Sequence, residues 1–461
     1  MLFGPISVVV VAALSAEPSS ETQLALAALK APVDRILAEG VAATRPYGRL
    51  VELCDDIGHR LSGSPQLDQA IEWALATLKA DGHENVRAEP VQVPKWVRGE
   101  ESLELVAPRR ARLAVLGLGG TLGTEGIEAE AVVVSDELEL EQRKAELAGR
   151  IVVFNNPMPP HHAEKGSSYG SAVRFRGKGP RIAAELGAVA VLVRSVTPNS
   201  LYTPHTGATV SEGQRVPAAA ITVEDAAMLA RFQARGIRPR LRLALGAKDH
   251  GLAPSANVVA ELRGRELPDE VVIISGHLDS WDVGQGAHDD GAGVVMAMEA
   301  LSLLRRLELR PRRTIRAVLW TNEENGLRGA KQYAADHLAE LPKHVAAIEA
   351  DTGCYAPVGY RVDHMDPARR MRAIEALGPL LALLAPVGAT LATPGYAGAD
   401  LFPMREHGVL LLGHHMDLSQ YFDIHHTPAD TVDKVDPSVL AKNVAALAAT
   451  AFMLAELPGV L

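Results

Sequence analysis

At 461 residues the chain is too long for a single hydrophobic core, so two domains are expected. Hydrophobic residues at 47% against charged residues at 22% describe a globular composition and exclude a disordered or fibrous one. A net charge of −10, with no long run of lysine or arginine, argues against nucleic acid or an anionic membrane surface as a partner.

Residues 1–16, Met1 to Ala16, are apolar, carry no charged side chain and end in small residues. The run is too short to span a bilayer and fits a signal peptide, although its start lacks Lys or Arg. Export to a periplasmic or secreted location is therefore expected, with no stable membrane insertion after processing. From Glu21 to about Ala80 the pattern is mostly helical. Leu24, Leu26, Leu29, Val33, Ile36 and Leu37 suit one helix, and Leu67, Ile71, Ala74, Leu75 and Leu78 another. His59 and His83 lack partners at ligand spacing and read as surface or loop residues. Val86 to Leu105 reads as extended. The cysteines, Cys54 and Cys354, allow at most one disulfide, and two buried free thiols are the simpler expectation.

Near Pro108 the character changes. Short apolar runs at Leu113–Leu116, Ala131–Val134, Ile151–Phe154, Val189–Val193, Ala218–Ile221 and Leu241–Leu245 read as strands. Helical patterns at Arg181–Leu186 and Val223–Ala234 alternate with them. This is a unit with its own core, and Pro157 to Gly179 reads as its longest loop, carrying His161, His162 and Tyr169. From Ala256 onward strands and helices alternate regularly. Strands are expected at 258–262, 271–275, 314–320, 344–350 and 409–412, and helices from Gly291, Arg328, Pro367 and Pro437. That alternation predicts an α/β fold, a three-layer sandwich around a largely parallel sheet.

The ends of those strands carry the chemistry. Ile274 leads through Gly276 into His277 and Asp279, and a Gly-rich loop then leads to Asp289-Asp290 at the start of a helix. Trp320 leads into Asn322-Glu323-Glu324, Ile348 into Glu349-Ala-Asp351, and the strand ending at Leu412 is followed by His425-His426-Thr-Pro-Ala-Asp430. In open α/β sheets this edge is where ligands bind. One imidazole and one or two carboxylates per strand end is the inventory of a two-metal site, since Zn²⁺ takes both ligand types. Chance loop acids would instead leave several uncompensated charges in one place.

His277-x-Asp279, Asp289-Asp290-Gly-Ala-Gly, Asn322-Glu-Glu324, Glu349-Ala-Asp351 and His426-Thr-x-x-Asp430 resemble the M28 zinc exopeptidases. His277-Leu-Asp-Ser-Trp-Asp-Val-Gly-Gln-Gly286, Arg60-Leu-Ser-Gly-Ser64 and Arg98-Gly-Glu-Glu-Ser102 resemble one subgroup of them. The resemblance covers nearly the whole chain after the leader. It implies a zinc exopeptidase fold formed by residues 17–107 and 249–461, with 108–248 inserted as a protease-associated domain. It further implies two Zn²⁺ per chain: His277 and Asp351 on one, Glu324 and His426 on the other, and Asp289 bridging through a strained peptide bond to Asp290. Asp279 would orient His277, and Glu323 would be the general base. Along an extended segment Glu323 and Glu324 can face different ways. His425 should point away from the site and His288 should be a bystander. Asp400, in Gly398-Ala-Asp-Leu401, matches a loop near the family's site with no role assigned.

The implied reaction is hydrolysis of dipeptides or short peptides with a free C-terminus, by attack of a metal-bridging water. An aminopeptidase of the same family is the nearest alternative. A non-catalytic receptor-like protein and a glutaminyl-cyclase-like acyltransferase compete from other classes; the full ligand set disfavours both. The resemblance alone also implies a homodimer.

Overall fold

A computed structural model describes residues 20–162, 166–209 and 213–461; the expected leader lies outside these residues. Two eight-stranded sheets organise the chain. In spatial order the first runs Glu84–Val97, Lys248–Leu262, Arg313–Trp320, Leu267–His277, His344–Glu349, Leu410–Met416, Pro357–Asp363 and Leu391–Pro394. Its four central strands, from Arg313–Trp320 to Leu410–Met416, are mutually parallel. Their carboxyl ends therefore meet at one edge.

Central strands buried on both faces need continuous apolar runs, and Arg313–Trp320 and His344–Glu349 are buried throughout. Alternate side chains enter opposite layers. Val272 and Ile274 pack with the helices Ser20–Val41, Pro65–Ala80, Ala292–Arg306 and Pro437–Glu456. Val271 and Ile273 pack with Tyr333 of the helix Arg328–Asp336 and with Met404. The result is a three-layer α/β sandwich. Pro437–Glu456 starts cleanly because Asp436 accepts hydrogen bonds from the N–H groups of Ser438 and Val439, with Pro437 in the first turn. That helix is long and apolar enough to cross a membrane, but 83% of its apolar window is buried inside the protein, as a core helix requires.

The second sheet runs Ala111–Leu113, Glu101–Ala107, Arg240–Leu245, Thr124–Val134, Ile151–Phe154, Ala190–Arg194, Ala218–Ile221 and Val115–Gly117. Its first and last strands are separated in the chain only by Ala114, so the sheet curls back on itself. Two helices cover it, Arg174–Glu185 through Phe175 and Ala183, and Val223–Ala234 through Ala226 and Leu229.

Three local expectations need correction. Residues 174–179, expected as loop, form the first half of a helix despite Gly177, Gly179 and Pro180. Packing overrides propensity here: a Cβ on Gly179 would lie 2.7 Å from the Phe154 ring, so only glycine lets the helix settle on the strand. The strands Pro357–Asp363 and Leu391–Pro394 had no clear sequence signal, because Gly359 weakens the interior of the first and Pro394 argues against the second, which lies at the sheet edge. His83 is buried rather than on the surface, and its Nε2 lies 2.9 Å from Ser302 Oγ. Cys54 and Cys354 are free and buried.

Candidate metal centre

The carboxyl ends of the four parallel strands bring His277, Asp289, Glu323, Glu324, Asp351 and His426 to one site. His277 ends its strand, and its Nε2 lies 3.2 Å from Asp289 Oδ1 and 3.5 Å from Asp351 Oδ1. His426 Nε2 lies 3.2 Å from Asp289 Oδ2 and 3.2 Å from Glu324 Oε2. Asp289 thus offers one oxygen to each of two clusters. Ligand atoms about 2.0–2.1 Å from one zinc, at a tetrahedral angle, lie roughly 3.3 Å apart. The observed spacings match that edge length.

Unsatisfied atoms point the same way. Asp289 Oδ2 and Glu324 Oε1 are buried without a hydrogen bond, which native interiors rarely tolerate. Burial and the Asp289 charge push the Glu324 carboxyl up to about 7. Burial, then the neighbouring Asp351, pushes Glu323 well above the usual carboxylate range. Burial alone would lower His277, but its contacts with Asp289 and Asp351 raise it well above an ordinary imidazole. Such a crowd of carboxylates calls for cations, and this mixed imidazole–carboxylate set suits zinc.

Surrounding groups fix the donors. The Asp289–Asp290 peptide bond is cis. Asp290 turns away and accepts the His277 N–H at 2.9 Å and the Gly293 N–H at 3.2 Å, so its oxygens are committed to the backbone. Asp430, four residues after His426, accepts the N–H groups of His288 at 2.8 Å and Asp289 at 3.1 Å and holds that loop in place. The fully buried Arg60 donates to the carbonyls of Gly58, Leu278, Gln285 and Gly286, which explains its motif as the brace of the Gly-rich loop. His288 stacks on Tyr355 with ring centres 4.9 Å apart and lies outside the two donor clusters.

Three expected details differ. Glu323 and Glu324 lie in a turn, not an extended segment. Asn322 at φ 66° bends the chain there, and both following N–H groups reach Asp279. His277 Nδ1 meets the backbone carbonyl of Asp279 at 2.9 Å, whereas the Asp279 carboxylate is 3.8 Å away and instead accepts from Glu323 N–H at 3.0 Å and Ser62 Oγ at 3.2 Å. Asp279 therefore fixes the imidazole through its backbone and the Glu323–Glu324 turn through its side chain. His425 does not point away. Its Nε2 comes within 3.5 Å of Asp289 Oδ2, and its ring stacks on His426 with centres 3.6 Å apart. The segment leaves the helix Tyr421–Ile424 and is not an extended chain, so adjacent residues need not alternate.

Asp400 and Glu349 form a buried acidic pair beside the site. Both Asp400 oxygens lack partners, while Glu349 accepts the Leu401 N–H at 3.0 Å. Gly398 makes room for them, since a Cβ there would lie 2.4 Å from the Glu349 carboxyl carbon. The second sheet contributes groups that no local sequence signal marks. The Thr206 carbonyl lies 3.2 Å from His426 Nδ1, and Arg176 Nη1 lies 3.5 Å from the same nitrogen. The donors open onto a cavity of about 650 Å³ that is also lined by Tyr169, Tyr396 and Phe422.

A parallel α/β sheet whose carboxyl edge gathers two imidazole–carboxylate clusters around one shared aspartate defines a metal-dependent hydrolase. The model for peptidase family M28 matches residues 257–451. Carboxypeptidase Q from Xenopus laevis is 44% identical over 406 residues, 87% of this chain and 84% of that protein. The crystal structure of a peptidase M28 precursor from Shewanella amazonensis SB2B superposes with a TM-score of 0.88 at 34% identity, over 95% of this chain and 98% of the other. A zinc aminopeptidase from Bacillus subtilis shares the fold at a TM-score of 0.65 and 18% identity, over 90% of this chain and 95% of the other. The chain belongs to peptidase family M28 and is a zinc exopeptidase.

Proposed function

We propose that this enzyme is a di-zinc carboxypeptidase acting on dipeptides and short peptides with a free C-terminus. The observation that carries the metal count is Asp289, with one oxygen 3.2 Å from His277 and the other 3.2 Å from His426. His277, Asp289 and Asp351 would hold one zinc, and Glu324, His426 and Asp289 the other. Zinc bound there would polarise the scissile carbonyl and acidify the attacking water. Glu323, half-buried in the cavity wall and tethered through its N–H to Asp279, takes the proton from that water and delivers it to the leaving amine. The preference for a free C-terminus is supported by the 44% identity with carboxypeptidase Q.

Zinc quantitation, followed by a screen of dipeptides blocked at either end with and without chelator, tests this reading. Two zinc ions per chain and loss of cleavage on blocking the C-terminus are expected. One zinc per chain, or a requirement for a free N-terminus alone, would refute it. We further infer that residues 108–248 are a protease-associated insertion. In support, the chain leaves the first sheet after Val97 and rejoins it at Lys248. Export and a homodimer complete the proposal. N-terminal sequencing of the native protein should start beyond Ala16, and sedimentation should give twice the mass of the processed chain.

A further inference from the structure

We propose that Arg176 receives the terminal carboxylate of the peptide substrate. The proposal rests on the free-C-terminus reading above and assigns that specificity to one residue.

Burying a guanidinium is costly unless a counter-ion or a full set of acceptors meets it. Five arginines are buried among the described residues. Arg49 pairs with Asp81 at 2.6 Å, Arg313 with Glu270 at 2.6 Å and Arg316 with Glu261 at 2.7 Å. Arg60 has no acidic partner but donates to four backbone carbonyls. Arg176 is the exception. It retains 8% exposure, and among the described residues no acidic side chain forms an ion pair with it. Nη2 donates to Tyr169 Oη at 2.7 Å, Nη1 donates weakly to the Thr206 carbonyl at 3.3 Å, and Nε has no acceptor. The one deeply buried arginine without adequate compensation lines the catalytic cavity.

Its surroundings are shaped to hold it there. Gly207, at φ +136°, lies against the guanidinium, and a Cβ at that position would sit 2.4 Å from Cζ. Tyr169, which holds Nη2, is itself stacked on Phe422 with ring centres 4.7 Å apart. A planar guanidinium fixed in this way presents a fork suited to a carboxylate.

A dipeptide requires the group that receives its terminal carboxylate to lie close to the metal centre. The terminal carboxylate lies one residue beyond the scissile carbonyl, and one residue spans about 3.3–3.6 Å. Arg176 already touches His426, whose other ring nitrogen faces Asp289 and Glu324. The cavity's other guanidinium, Arg361, is already engaged by protein groups. It shares a sheet row with Glu349 across Gly413, two strand spacings of about 4.8 Å each, and is held by Thr393 and His415.

The test compares the best-cleaved dipeptide with its C-terminal amide, using zinc-loaded wild type, R176Q, R176K and R361Q. Wild type should prefer the acid. R176Q should lose on the order of 10–100-fold in kcat/KM for the acid, the usual loss for a charge-assisted contact, mostly through KM, with little change for the amide. Its zinc content should be unchanged. R176K should show an intermediate acid-to-amide ratio, and R361Q the wild-type ratio. By calorimetry, R176Q should also bind free alanine no better than alaninamide, whereas wild type binds alanine more tightly. If R176Q loses acid and amide cleavage equally, Arg176 merely braces His426 and the proposal fails. It fails equally if R176Q and R176K keep the wild-type ratio, or if R361Q loses it, while the free-C-terminus reading survives. A wild type that does not distinguish acid from amide overturns that reading and this one together.

Discussion

Both sheets are built around four parallel strands, with helices on the two faces. Their carboxyl edges differ in how completely the polar groups are used. In the second sheet, Ser195 Oγ donates to the Ile221 carbonyl at 2.7 Å and accepts from His205 N–H at 2.9 Å, Thr222 caps a helix, and Asn155 accepts from Arg194 at 3.1 Å. Every one of these edge side chains has a protein partner. In the first sheet, Asp289, Glu324, Glu349 and Asp400 all keep buried oxygens with no hydrogen bond. The second edge also keeps Arg194 Nε, His205 Nε2 and Asp225 Oδ2 buried without a hydrogen bond, but among the described residues none of them belongs to a group that could hold a metal ion. In that sense the same architecture is closed at one edge and open to a cation at the other. A fold permits a site, but a cluster of unsatisfied carboxylate oxygens beside imidazoles locates it. The second sheet still takes part, because its loop after Arg194 docks onto the first, where Thr206 N–H donates to the His426 carbonyl at 3.1 Å.

If the open edge is a metal centre, breaking the shared ligand should have the largest effect. Asp289→Ala removes a donor from both clusters, so both zinc ions should be lost and turnover should fall to background. Stability should fall as well, because metal binding adds to folding free energy. Glu324→Ala touches only the His426 cluster and should lower zinc from two per chain toward one. Inductively coupled plasma analysis of the purified variants distinguishes these outcomes; equal zinc loss in both variants would remove Asp289 from its bridging position.

Glu323→Gln should come next. It keeps the size of the side chain but cannot accept a proton. Zinc content and melting temperature should match wild type, while kcat falls on the order of 10²–10⁴-fold. Near-normal turnover, or zinc loss, would take Glu323 out of the mechanism. Asp279→Ala should be milder. It removes the acceptor of the Glu323 and Glu324 N–H groups without removing the His277 contact to the backbone carbonyl. Zinc affinity or activity should weaken roughly 10–100-fold, the usual cost of losing a group that orients ligands. An Asp279→Ala enzyme with wild-type zinc affinity and rate would show that the turn holds its shape alone.

These effects also divide what the sequence could reveal from what it could not. The strand ends carrying His277, Glu324 and Asp351 were legible, because apolar runs of fixed length stop where the acids and histidines begin. The parallel arrangement followed from the alternation of strand and helix. Arg176 and Thr206 were not legible: they meet His426 across 250 and 220 residues of chain, and a contact of that kind leaves no local periodicity. The placement of His425 was hidden as well, because the chain there leaves a short helix and adjacent residues need not point apart. The outer strands of the first sheet were hidden by Gly359, whose missing side chain lets the Leu391 backbone approach, and by Pro394, which the edge strand Leu391–Pro394 accommodates.

The smallest expected effect lies at the closed edge. Thr222 follows the strand Ala218–Ile221, is fully buried, and its Oγ1 accepts the Asp225 N–H at 3.0 Å at the start of the helix Val223–Ala234. Thr222→Ala removes that cap and leaves the N–H without its partner, at a cost of about 1–2 kcal/mol. The loop that reaches His426 follows a different strand, Ala190–Arg194, and is tied to this edge through Ser195 and the Ile221 carbonyl, which the substitution leaves in place. Thermal unfolding should therefore shift downward while zinc content, kcat and KM stay at wild-type values. The contrast with Asp279→Ala is the informative part, since both substitutions remove one buried acceptor just beyond a strand end. If Thr222→Ala also lowers zinc content or turnover, the second sheet's edge is mechanically continuous with the metal centre, and the division between a closed and an open edge does not hold.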